Sequence, residues 1–377
     1  MTHGLLALDS YLVDWLDLLL RWLHVIAAIA WIGTSFYFVL LDQSLRPPKD
    51  AADVEDGVAG ELWEVHGGGF YKVQKYRVAP PMLPDHLAWF KWEAYTTWLS
   101  GFALVVVLYY FSASSRLVDP SVADLEDWQA IALSVGLLAA AWIVYDVLCR
   151  LLGRDERWLA VSVAALAVVS AFVSTELFAP RAAFIQVGAM LGTIMAANVL
   201  FVIIPAHWEL IRAKEAGREP DPAPGLEGKR RSVHNNYLTL PVIFVMIGTH
   251  YPLAFASRFN WVILACILAM GAIIRHFYNE RHAHRPSPWW TWGLALVLAF
   301  AAVWLSTFGP AAEPQRRGQV VRPISVAEKE AEDVVVSRCS MCHARQPVWN
   351  GLITPPKGVV LDTLPDMRRW AHQIGLQ

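Results

Sequence analysis

Eight stretches of mostly apolar residues punctuate the chain, at about 15–41, 87–111, 128–149, 158–178, 183–204, 237–256, 259–278 and 289–308. Each is long enough to cross a hydrocarbon layer of ~30 Å as a helix rising ~1.5 Å per residue. Polar residues gather between the stretches instead of alternating within them. The pattern therefore predicts an all-α membrane protein, a bundle of about eight transmembrane helices over residues 1–309. From there the character changes: a Pro- and Arg-containing linker covers 310–330, and 331–377 form a short, more polar α tail.

The loops between the stretches alternate in charge. The first (Arg46, Lys49, Lys72, Lys75, Arg77), third (Arg150, Arg154, Arg157), fifth (Arg212, Lys214, Arg218, Lys229, Arg230, Arg231) and seventh (Arg275, Arg281, Arg285) are basic. The second, fourth and sixth hold one Arg each: Arg116, Arg181 and Arg258. Basic loops stay in the cytoplasm, so both termini are expected in the periplasm of a multi-pass protein of the bacterial inner membrane. Asp9, Asp14 and Asp17 precede the first stretch where a signal peptide would carry basic residues, which favours a retained helix.

Composition agrees: 56% of the 377 residues are hydrophobic and only 17% charged, against about 25% in soluble proteins. A net charge of −2 with no concentrated basic face argues against a nucleic-acid partner. The four cysteines are too few for a disulfide scaffold, and Cys149 and Cys266 lie in apolar stretches where a buried, inert thiol is expected.

The other two cysteines stand in "CSMCH": Cys339, Cys342 and His343. That order suits a c-type haem, with two thiols one helical turn apart and an adjacent imidazole for the iron. Zinc would need about four ligands, and only the lone His372 follows. A redox dithiol would belong to a thioredoxin-like fold, for which the tail is short. The haem reading is favoured, as a partial, cytochrome c-like periplasmic domain; Met367 and His372 are the available second ligands, and a truncated domain would also account for the short tail.

Ionisable residues at membrane depth mark function by default. His24 in the first stretch and His250 near the end of the sixth lie at similar depth. Two facing imidazoles would suit a b-type haem, while a histidine bonded to a neighbouring helix suits each of them equally, and both readings stay open. At the opposite, cytoplasmic edge gather His66 before the run Gly67, Gly68 and Gly69; His86, Lys91 and Glu93; His207; His234, Asn235 and Asn236; and Arg275 with His276. Imidazoles, amides and cations together suit a flat, anionic, nitrogen-rich ligand.

The segments "EVHGGGFY", "LAWFKWEAYTTWLSGF", "HNNYLTLPVIFVM", "THYP" and "RHFYNERH", followed by "CSMCHA", resemble the bacterial membrane-bound urate hydroxylases, which join a urate oxidase N-terminal membrane domain to a C-terminal cytochrome c domain. The resemblance spans nearly the whole chain. It implies oxidation of urate to 5-hydroxyisourate, with electrons passed to haem c and then to a soluble cytochrome c or a terminal oxidase. It also implies a segment beyond the present C-terminus that carries the distal Met. The expected catalytic set is His66, Lys91, His234, Asn235, Asn236, Arg275 and His276. Cys339, Cys342, His343, His24 and His250 are the expected cofactor and metal ligands. Two alternatives remain: a quinol:cytochrome c electron-transfer protein, and a transporter or haem- or copper-handling protein. Against the transporter, the two halves show no matching pair of Gly/Pro-broken spans.

Overall fold

The computed structural model describes residues 2–153, 155–308, 326–344, 355–356 and 359–375. Expectations at Arg154, across most of the linker, and for the side chains of Asp9, Asp14 and His372 fall outside the described residues. In chain order the elements are α1 (Thr2–Ser44), α2 (Ala51–Glu55), β1 (Val58–His66), β2 (Gly69–Tyr76), α3 (Trp92–Val105), α4 (Ala113–Arg116), α5 (Asp127–Leu152), α6 (Glu156–Leu177), α7 (Pro180–Asn198), α8 (Ile204–Glu215), α9 (Pro222–Gly248), α10 (Pro252–Phe255), α11 (Asn260–His282), α12 (Trp290–Ser306), α13 (Val326–His343) and α14 (Leu364–Gly375). The chain divides into two compact units, Met1–Phe308 and Gly309–Gln377.

Local chemistry starts these helices where orphan N–H groups need acceptors. Glu126 and Gln129 form a capping box ahead of α5. The Asp155 side chain accepts from the N–H groups of Arg157 and Trp158 to open α6, and Asp221 accepts from Ala223 N–H, with Pro222 at the first position of α9.

Among the described residues five helices are long and apolar enough to cross a membrane: Trp15–Ser44 within α1, α5, α6, the continuous Pro180–Glu215, and α11. They coincide with five of the eight predicted stretches. The other three differ. Residues 87–91 are not helical, and α3 begins only at Trp92. The sixth stretch is the apolar half of a longer helix whose first half, "PAPGLEGKRRSVHNN", is polar, and α12 is apolar but has 17 residues. Exposed apolar side chains such as Trp22, Ile29, Phe300 and Val303 cover the outside of the unit, the surface expected to face lipid.

The all-α expectation needs one correction. The first basic loop folds into an antiparallel hairpin, β1 against β2, turning at Gly67 and Gly68, whose φ angles of 59° and 84° favour glycine. The hairpin lies back along α1: Arg46 and Glu61 exchange backbone hydrogen bonds, and Tyr37 donates to Glu64 at 2.6 Å. Lys75 pairs with Asp42 at the same junction.

In the larger unit α9 packs between α7 and α11, α1 lies on α3, and α11 on α12. Close approach of helices in a membrane depends on small residues at the crossing. A Cβ on Gly271 of α11 would stand 2.8 Å from Pro241 Cδ and 2.9 Å from Pro241 N in α9. Neither atom can swing aside, because both belong to a proline ring inside a helix. Gly271→Ala is therefore expected to lower stability by about 1–3 kcal/mol, read as an earlier midpoint in SDS unfolding of the purified protein; an unchanged midpoint would mean that the two helices separate freely.

In the smaller unit α13 and α14 are joined by Arg368 NH2 donating to Glu328 at 3.0 Å. Leu361 N–H donates to His343 O at 2.8 Å, and Leu361 and Met367 are both buried.

Candidate functional site

Successive residues of an α-helix point about 100° apart, so four in a row look in four directions. His234, Asn235, Asn236 and Tyr237 of α9 do this, and each finds a partner on another helix. His234 Nδ1 meets Tyr145 OH of α5 at 2.7 Å, and Cys149 Sγ lies 4.0 Å from the same nitrogen. Asn235 accepts at Oδ1 from Asn198 Nδ2 of α7 at 2.8 Å and donates to Met195 O at 3.0 Å. Asn236 donates to Asn279 of α11 at 2.9 Å and accepts from Arg275 Nε at 2.5 Å. Tyr237 OH meets His276 Nδ1 at 2.9 Å.

A second layer joins these groups. Asn198 Nδ2 also donates to Tyr145 OH at 3.2 Å, which leaves that hydroxyl to donate to His234. Arg231, one turn before Asn235 and 2% exposed, gives NH1 to Asn198 Oδ1 at 3.3 Å, NH2 to Asp146 at 2.7 Å and Nε to Glu227 at 2.7 Å. Its guanidinium lies over the rings of Tyr145 and Trp142. Buried amides and charges of this kind are affordable only when each is bonded, and here they are.

One side of α9 is left open. A cavity of about 450 Å³ lies between α1, residues 88–90, the end of α7 with the start of α8, and α9. Small-molecule sites typically measure about 300–1,000 Å³. Trp31, Phe38, Trp89 and Phe90 supply aromatic wall, and Thr34, Ser35, His207, Ser232, Asn235 and Thr239 supply polar groups. Asn235 spends one amide N–H on Met195 and one Oδ1 lone pair on Asn198, so it keeps one of each for a ligand. The His207 ring makes no hydrogen bond among the described residues; its recorded ring contact is Trp89, centroids 6.3 Å apart.

His207 reaches the cavity because the helix carrying it is irregular. Between α7 and α8 one turn, Val199–Ile203, is a π-helix, and Val199 and Ile203 line the cavity. Pro205 follows it and has no N–H for the carbonyl of Phe201, which loosens the regular ladder at this point. Such single-turn π segments occur often at functional sites.

Of the seven residues in the expected catalytic set only Asn235 lines this cavity, joined by His207, which the sequence groups with them at the same edge. Lys91 stands at the start of α3 with Nζ 4.7, 5.7 and 5.8 Å from the ring centroids of Trp89, Trp92 and Trp208. His234 faces α5, while Asn236, Arg275 and His276 belong to the α9–α11 contact, where Arg275 lies 4.1 Å from the Phe36 ring centroid. His66 is exposed at the hairpin turn and His86 is exposed in the preceding loop. His24 Nδ1 lies 3.0 Å from Thr97 O and 3.2 Å from Ser100 Oγ, packed on Gly101 of α3. His250 is exposed in the turn after α9, and no contact joins it to His24 among the described residues.

Sequence reasoning passed over Trp31, Trp89, Ser232 and Thr239 as lining residues, and Tyr145, Asn198 and Arg231 as their support. Pro205 beside a histidine was the signal available for His207. In the smaller unit Cys339 and Cys342 lie one turn apart near the end of α13, both half-buried. His343 Nδ1 lies 3.0 Å from Val359 O. A nitrogen facing a carbonyl oxygen carries the proton, so Nε2 is left as the free lone pair, the form in which histidine binds a metal. The two thiols and this imidazole fit a covalently held haem. Among the described residues no cluster of three or more His, Cys, Asp or Glu suited to a bare metal ion occurs.

A family model described as urate oxidase N-terminal matches residues 10–306. No curated protein and no solved structure matches the chain.

Proposed function

The chain belongs to the urate oxidase N-terminal family, and we propose that it oxidises urate to 5-hydroxyisourate within a membrane-spanning bundle, taking substrate into the cavity beside Asn235. The reaction adds water across an oxidised ring: urate and H2O give 5-hydroxyisourate, two electrons and two protons. The observation that carries the reading is the pairing in one cavity of His207, an exposed imidazole beside Trp89 without a hydrogen-bond partner among the described residues, with the bonded amide of Asn235.

In this reading the flat purine lies against Trp89 and Trp31, where ring stacking favours it over a non-planar compound. Asn235 offers one N–H and one lone pair, a matched set for a ring amide of urate. Ser232 and Thr239 lie on the same helix as Asn235 and complete the polar edge. A His207 ring nitrogen takes the N–H proton whose loss raises electron density at C5, and later returns it to solvent. Lys91 provides positive charge near Trp89 for the urate anion. His234, Asn236, Arg275 and His276 are positioning residues, holding α9 so that Asn235 keeps its direction.

Cys339, Cys342 and His343 would hold a c-type haem, the group that would supply one-electron acceptance and relay to a soluble cytochrome c or a terminal oxidase. The alternation of loop charges supports a periplasmic side for this tail.

The test follows urate by its ultraviolet absorbance in membranes bearing the full chain, with and without added cytochrome c. Loss of urate only when the acceptor is present, without hydrogen peroxide, is expected, and His207→Gln should lower the rate at least about 100-fold, within the range for losing a general base. No loss in either condition, or a His207→Gln variant as fast as the parent, would overturn the reading.

A further inference from the structure

Beside the larger cavity lies a smaller one of about 250 Å³. Its floor is apolar, from Leu83, Leu87 and Leu210, and its remaining wall includes Ala88, Trp89 and His207, three residues that also line the larger cavity. The boundary between the two is thus shared by Ala88 and the side chains of Trp89 and His207.

The chemistry around the smaller cavity is asymmetric. Trp89 stacks on Trp208, centroids 4.9 Å apart with 29° between the planes. Lys91 Nζ stands 4.7 Å from the first ring centroid and 5.8 Å from the second, and the Arg212 guanidinium stands 5.8 Å from the Trp208 centroid. Two cations therefore sit on one indole pair. A cation over an indole face is held there without losing its charge, so its field remains available to an approaching anion. Lys91 and Arg212 do not line the cavity, but they stand on the indole pair that includes its wall residue Trp89; apolar floor, aromatic wall and nearby cations favour the same ligand: flat, heteroaromatic and negatively charged.

We propose that the smaller cavity is a vestibule, a second binding site at which a planar heteroaromatic anion rests before it passes Trp89 and His207 into the larger cavity. The proposal rests on urate being the substrate, and it adds a route and a second site to that reading. It makes Arg212 and Lys91 determinants of capture, and Trp89 a gate as well as a stacking surface.

Two measurements on the full-length chain in lipid nanodiscs test it. Leu83→Trp should fill the vestibule without reaching the larger cavity. The expected result is a fall of about tenfold in kcat/KM for urate with kcat within about twofold of the parent, the pattern of lost capture. In Leu83→Cys, a water-soluble maleimide should label the new thiol over the background of the native cysteines. Urate supplied without an electron acceptor should slow that labelling several-fold, and adding Arg212→Gln should weaken the protection. An unchanged kcat/KM in Leu83→Trp, or labelling indifferent to urate, overturns the vestibule. Protection without any urate turnover overturns the catalytic reading and keeps the vestibule; turnover without protection does the reverse.

Discussion

Replacing Arg231 by Met is expected to lower the stability of the larger unit by about 3–5 kcal/mol, the usual cost of removing one partner from a buried ion pair. The side chain is 2% exposed and joins Asp146 on α5, Glu227 one turn back on α9 and Asn198 on α7. Met fills similar volume, so the loss comes from Asp146, a carboxylate at 14% exposure that keeps only the exposed Arg150 as a partner, and from Glu227 and Asn198, which each lose a donor. Arg231→Lys should recover part of the loss, because an ammonium restores the charge but not the fork that reaches three partners at once. SDS unfolding of the purified protein reads both. A Met variant within about 1 kcal/mol of the parent would show that Asp146 is reached by water.

The second large effect is on activity. Asn235→Leu keeps the shape of the side chain and removes the amide that faces both Asn198 and the cavity. If urate binds there, kcat/KM should fall by about 10²–10³, as when a buried polar contact to a reacting ligand is deleted. Some stability is lost as well, about 1–3 kcal/mol, since Asn198 and the Met195 carbonyl each lose a partner. A variant that folds, shows the parent's thermal transition to within a few degrees, and oxidises urate at the parent's rate would remove Asn235 from the site.

The helical bundle was legible because burial in lipid leaves a one-dimensional mark, a long apolar run, and five of the predicted stretches match helices long enough to cross. The hairpin was legible too, but was read differently. "VAGELWEVH" and "GFYKVQKY" flank a glycine pair in the manner of a hairpin, yet the sequence reading groups the glycine run with His66 at the edge of a helical bundle. Membrane context drew attention to helices and away from a two-residue period.

At the candidate site the sequence grouping and the geometry differ in how they use one turn of helix. His234, Asn235 and Asn236 stand together in the chain and were grouped around one ligand. On a helix, neighbours diverge by about 100°, so three in a row cannot face one small molecule. The structure spends two of them on neighbouring helices and leaves Asn235 to the cavity. His207 and Trp89 arrive there from a distorted helix and a non-helical segment, where periodicity says nothing about direction.

The π-helical turn Val199–Ile203 has a consequence for how this site could arise. A π turn is an α-helix that has accepted one additional residue, so everything after it is rotated by about one residue's worth relative to a regular helix. Take one residue out of 199–203 and the π turn would become α-helical, with Pro205 still leaving one carbonyl unpaired and everything after it, His207 included, turned about 100° from its present direction. The side that His207 presents is thus set by the length of the chain before it.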